Sequence, residues 1–126
     1  MTGVKVTISG TASEAPYEQL RAQIADQARS GSLPAGYRLP TVRRLAEELG
    51  LAPNTVAKAY RALEGDGVIE TRGRNGTFVA AAEGSAREAA HAAEEYARRA
   101  RRLGLDREAA LAAAEEALRA VYVGER

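Results

Sequence analysis

Between Gly36 and Val79 the chain carries two helix-length apolar patterns joined by a tight turn and followed by a short glycine-punctuated hairpin. Thr41 is placed to cap the first of these helices just after Pro40. Val42, Leu45, Ala46 and Leu49 form its apolar stripe, and Gly50 stops it. Pro53 opens the second, where Val56, Ala59, Tyr60 and Leu63 make the inner face until Gly65 and Gly67 break the pattern. Val68–Arg72 and Thr77–Ala80 then read as two strands across Gly73-Arg74-Asn75-Gly76, with Asn-Gly as a hairpin signal. This is the order of a helix-turn-helix with a wing.

The flanks are simpler. Val4 to Ile8 alternates apolar and polar residues and predicts a short strand. A helix opens near Pro16, with Tyr17, Leu20, Ile24 and Ala28 on one face, and Gly31 ends it. Leu33 to Gly36 reads as a connector. After a small-residue hinge at 81–85, two further helices are expected, about 86–103 and 106–123, separated by Gly104 and capped by Asp106. Their stripes are mostly alanine. They suit an antiparallel helical hairpin with too few large apolar residues to stand alone, so packing on a partner is expected. The fold class is therefore mainly α with a small β-hairpin: a winged helix-turn-helix over residues 1–80 and a two-helix tail over 81–126.

Composition excludes more than it selects. With no Cys, disulfides, thiol catalysis and Cys-ligated zinc are ruled out. His91 is the only histidine, so a metal site is not expected and no cofactor is indicated. The carboxylate pairs Glu47-Glu48, Glu94-Glu95 and Glu115-Glu116 are adjacent on helices and point to different faces, which argues against an enzyme. No segment approaches a membrane span or a signal peptide, and a cytoplasmic protein is the default. Net charge is only +1, with ten Lys and Arg against eight Asp and Glu in residues 1–80 and eight against nine in 81–126. Any phosphate-binding surface must therefore come from local clustering.

Candidate contacts follow from chemistry. Arg43 and Arg44 on the first turn-helix carry guanidiniums suited to phosphate or guanine; the plainer reading is a solvated face paired to Glu47 or Glu48. Asn54 and Thr55 sit at a helix N-terminus, where free N–H groups attract phosphate, and Lys58 lies one turn on. Arg72, Gly73 and Arg74 offer two guanidiniums on backbone that can approach closely. The basic run Arg98 to Arg102 reads as a solvated helix face.

The blocks Pro16–Leu20, Gly31–Gly36, Arg38–Thr41, Arg43, Leu45-Ala46, Leu49-Gly50, Asn54–Val56, Ala59-Tyr60, Leu63, Gly67 and Gly73–Val79 resemble the GntR family of bacterial transcription regulators. The short tail resembles the YtrA-like subfamily. The resemblance implies a homodimer through the C-terminal helices that binds duplex DNA at an inverted repeat, as a repressor. It places the third helix in the major groove and the wing in the minor groove. Arg43, the helix start at Ala52, Pro53, Asn54 and Thr55 with Lys58 one turn on, and Arg72 to Arg74 fall on the family's contact positions. Ala52 and Pro53 depart from the Ser or Thr and the Arg frequent there. A winged-helix protein-interaction module is the alternative. No dedicated effector domain is expected, because close packing of the small tail would leave little room for a ligand pocket of about 300 Å³; the effector is unknown, with the dimer interface and the junction of tail and winged domain as the alternative places for a pocket.

Overall fold

The computed structural model describes residues 4–81 and 83–124; Ala82, inside the expected hinge, and both chain ends lie outside them. The elements run α1 (Pro16–Ser30), α2 (Val42–Leu49), α3 (Pro53–Gly65), β1 (Ile69–Thr71), β2 (Thr77–Val79), α4 (Glu83–Arg102) and α5 (Arg107–Val121). Two compact units divide inside α4, one reaching to Ala89 and one beginning at Ala90.

In the first unit α3 packs on both α1 and α2. Leu20 and Ile24 of α1, Leu45 of α2 and Val56, Ala59 and Leu63 of α3 are fully buried together. The amphipathic spacing read from the sequence is what brings them to one core. Leu33 and Leu39 also enter that core, so the connector is not a passive link. Its next residues pair with β2: Gly36 N–H donates to Val79 O at 2.8 Å, Val79 N–H to Tyr37 O at 2.9 Å and Leu39 N–H to Thr77 O at 2.8 Å. Arg38 and Phe78 form an isolated bridge there. The two-stranded wing, paired Ile69 to Val79 and Thr71 to Thr77, thus gains a short third lane that the sequence pattern concealed.

The expected strand at Val4–Ile8 is not one. The segment is extended, and its apolar residues lie on the core, but its polar backbone is bonded to side chains of α1. The Gln23 amide accepts from Thr7 N–H at 3.0 Å and donates to Thr7 O at 2.8 Å. Gln19 does the same for Ser9, at 2.8 and 2.9 Å, and Gln27 donates to Lys5 O at 2.7 Å. Four helical residues rise about 6 Å and two extended residues about 6.6 Å, so glutamines at every fourth position match every second residue of the arm. Side-chain amides stand in for a neighbouring strand.

α4 begins at Glu83, three residues before its expected start, and absorbs part of the hinge. A close backbone crossing lies in its first turn. A Cβ on Gly84 would meet Gly67 O at 2.3 Å, and one on Gly67, at φ +73°, would meet Gly84 O at 2.4 Å. Only a glycine pair admits this approach.

The second unit holds the rest of α4 and α5. Asp106 caps α5 by accepting from Ala109 N–H at 2.8 Å. Tyr96 Oη donates to Ala110 O at 2.7 Å and Ala100 is buried, joining the helices near their turn. Leu103, Leu111, Leu118, Val121 and Tyr122 remain exposed. The helices do not pack closely enough to exclude a pocket, contrary to expectation: an open apolar groove of about 460 Å³ lies between Tyr96, Ala100, Leu105, Ala110 and Leu111.

Candidate nucleic-acid interface

Two helix starts and one hairpin present the expected residues. Thr41 Oγ1 accepts from Arg44 N–H at 3.1 Å, fixing the first turn of α2 and exposing both arginines. They then differ. Arg44 reaches Glu48 at 3.4 Å, the solvated pair that the plainer reading anticipates. Arg43 has no carboxylate partner among the described residues.

α3 starts with little capping. Ala52 supplies no side-chain bond and Pro53 has no N–H. Thr55 N–H already donates to Ala52 O at 3.0 Å, and Val56 N–H to the same oxygen at 3.4 Å. Asn54 therefore carries the one first-turn amide without a backbone acceptor among the described residues, and its carboxamide is also without an internal partner. The anion-attracting N-terminus is thinner than its position alone implies. Asn54, Lys58 and Arg61 follow at i, i+4 and i+7, forming one exposed stripe. The sequence pattern places Arg61 off the inner face with Asn54, Thr55 and Lys58, but not among the expected contacts.

Lys58 is not loose. Its Nζ lies 3.9 Å from the centroid of the Tyr17 ring, at the start of α1. A cation over an aromatic face gains attraction and loses freedom. The spacing of Tyr17 places it on the apolar face of α1; it is half-buried and also a platform for this ammonium. Tyr60 is core, as its spacing indicates, and its hydroxyl donates to Pro40 O at 2.7 Å. That bond ties α3 to the residue preceding the α2 cap. Burial first, and the negative charge of Glu48 second, push the Tyr60 phenol well above its usual range, so it stays a donor.

At the wing, a single 3₁₀ turn over Gly73–Asn75 replaces a two-residue hairpin turn, and Asn75 does not take positive φ. Arg72 N–H closes it by donating to Gly76 O at 2.8 Å. The Arg72 guanidinium is engaged twice, with Glu70 Oε1 at 2.6 Å from Nη2 and with the Phe78 ring centroid 4.3 Å from Cζ. Gly73 and Arg74 sit on the exposed tip, and Arg74 has no carboxylate partner among the described residues. The expected contacts thus separate into free cations, Arg43 and Arg74, and internally held ones, Arg44, Lys58 and Arg72.

Residues 16–79 match the family model described as bacterial regulatory proteins, gntR family. The chain belongs to this family. Its winged helix-turn-helix is a GntR DNA-binding domain, and the protein is a transcriptional regulator. It is similar to the HTH-type transcriptional regulator Rv1152 of Mycobacterium tuberculosis, 52% identical over 75% of this chain and 78% of that one. It is also similar to the HTH-type transcriptional repressor YtrA of Bacillus subtilis, 43% identical over 50% of this chain; the match spans about half of YtrA, 48%. Among solved structures, the AraR DNA-binding domain in complex with operator ORX1 aligns with a TM-score of 0.53 at 28% identity, over 61% of this chain and 96% of that one. Among the described residues no helix is long and apolar enough to cross a membrane.

Proposed function

We propose that this GntR regulator binds a specific operator duplex and represses transcription from it. The observation that carries the reading is the exposed set formed by Arg43, the Asn54–Lys58–Arg61 stripe and Arg74, in which no cation has a carboxylate partner among the described residues. α3 enters the major groove with Asn54 and Thr55 at the base edges, and Lys58 meets phosphate. Arg43 clamps a guanine or phosphate, and the wing tip at Arg72–Arg74 meets the minor groove. AraR bound to operator supports the mode, and the name of YtrA supports repression.

The protein acts in the cytoplasm as a homodimer, residues 81–126 supplying the interface. The exposed Leu111, Leu118 and Val121 of α5 and Tyr122 just after it support this, since such side chains gain by burial against a second copy. A two-fold pair of α3 helices then reads an inverted repeat.

Fluorescence anisotropy against an operator found by in vitro selection tests the reading. Replacing Arg43, Lys58 and Arg74 with Ala is expected to abolish tight binding while sedimentation still reports a dimer. Retained affinity in that variant refutes the site; a monomeric wild type refutes the dimer.

A further inference from the structure

Arg38 lies outside every group of residues so far assigned to DNA, yet its placement is unusual. Its bridge partner is Phe78, and Phe78 also pairs with Glu70, so the three side chains share one face of the wing. Gly76, two residues before Phe78, lies on that same face. A Cβ built on Gly76 would meet Arg38 Nε at 2.9 Å, Nη2 at 3.3 Å and Cζ at 3.5 Å. The guanidinium therefore occupies the space that a side chain at 76 would need, next to the exposed turn that carries Gly73 and Arg74. Any other residue at 76 would displace it.

The charges on this face are unevenly used. The one carboxylate there, Glu70, is taken by Arg72 through Nη2 at 2.6 Å and Nε at 3.0 Å. Arg38 is exposed and has no ion pair or hydrogen bond from its side chain among the described residues. A guanidinium carries five donors in a fixed fork, and here none of them has a protein acceptor among the described residues. Its backbone is fixed by the Gly36, Tyr37 and Leu39 bonds to β2, so the group is positioned as well as unneutralised.

We propose that Arg38 is a DNA contact: a phosphate clamp on the wing, held in place by Gly76, that acts beside Arg74 while Glu70 holds Arg72. This rests on the DNA-binding reading above. A contact to phosphate adds affinity without adding sequence preference. Its loss weakens operator and unrelated duplex alike.

The test uses the full-length protein and an Arg38→Gln variant, which keeps the stem and a planar amide over Gly76 but removes the charge. Anisotropy titrations across a salt series, against operator and a scrambled duplex, give the slope of log K with log salt. Each lost phosphate contact is expected to make that slope shallower by about 0.9 per protomer, an affinity loss of about 8-fold per protomer at about 0.1 M salt. The operator-to-scrambled ratio should stay unchanged, and Arg38→Lys should restore the slope. A variant with wild-type slope and affinity overturns the assignment, even if its melting temperature falls, because Arg38 would then serve only the wing. A wild-type protein whose binding ignores salt overturns the underlying reading instead.

Discussion

Glu70→Gln should tighten DNA binding, although it removes an ion pair. Arg72 is one of the wing residues expected to meet DNA, yet its guanidinium is already bonded to Glu70 at 2.6 Å. The two side chains are 47% and 46% exposed, so the pair belongs to the surface class, worth about 0.2–1 kcal/mol. A phosphate that recruits Arg72 must break this pair in each protomer, which costs a two-fold dimer about 0.4–2 kcal/mol. Releasing Arg72 in advance removes that cost and is worth about 2- to 30-fold in affinity. The ring of Phe78, 4.3 Å from Cζ, still holds the released guanidinium near the tip. Anisotropy at low salt measures the effect, and an Arg72→Ala background isolates its route. If Glu70 acts by sequestering Arg72, the gain vanishes in that background; if it acts only as a distant negative charge, the gain persists. Unchanged or weaker binding in Glu70→Gln refutes the reasoning, because the pair would then orient Arg72 rather than withhold it.

Three further outcomes test other contacts. Gly84→Ala should destabilise the protein by about 1–3 kcal/mol in a urea melt, through the 2.3 Å clash with Gly67 O, whereas helix propensity alone predicts a gain of about 1 kcal/mol. Tyr60→Phe should cost about 1–3 kcal/mol by stranding Pro40 O. The raised Tyr60 pKa adds a sign: its contribution is whole below its ordinary value of 10.0 and is lost as pH climbs from there through the folded value, so thermal melts should lose that alkaline decline in the variant. Tyr17→Leu should weaken operator binding about 2- to 5-fold by freeing Lys58, with Tyr17→Phe near wild type. An equal loss in a Lys58→Met background would refute the coupling.

The helices were legible because each repeats a 3.6-residue apolar pattern between a proline or cap and a glycine; α2 and α3 fall within a residue of their expected limits. What escaped depends on partners far along the chain. Period-two alternation at Val4–Ile8 correctly marked an extended, one-sided segment, but no local pattern says that glutamines of α1 replace a strand. The third lane of the wing was hidden because Tyr37-Arg38-Leu39 is too short to show a period. The first turn of α4 is crossed by Gly67, seventeen residues before Gly84, which no local pattern shows. Tail stripes were visible, but a stripe of alanines does not reveal how far apart two helices settle. For the candidate site, position along the motif located the arginines, while the choice between free and paired depended on which carboxylate lay within reach.

That choice bears on how an almost neutral chain can recognise DNA. A net charge of +1 gives little long-range attraction, so affinity must come from cations that start unneutralised. Arg44 and Arg72 each face a carboxylate close by in the chain, Glu48 and Glu70, whereas Arg43 and Arg74 have none among the described residues. Pairing one arginine of each adjacent or near-adjacent couple lowers non-specific attraction to phosphate and leaves the other guanidinium of the couple unneutralised. The recognition helix is sparing in the same way, since Ala52 and Pro53 offer no polar side chain to a base. On the proposed docking, polar side chains for base readout at the helix start come from Asn54 and Thr55, and replacing Asn54 should relax sequence preference more than it lowers affinity for unrelated duplex. Lys58, tethered over Tyr17, should show the opposite pattern, because an ammonium on phosphate strengthens every duplex equally.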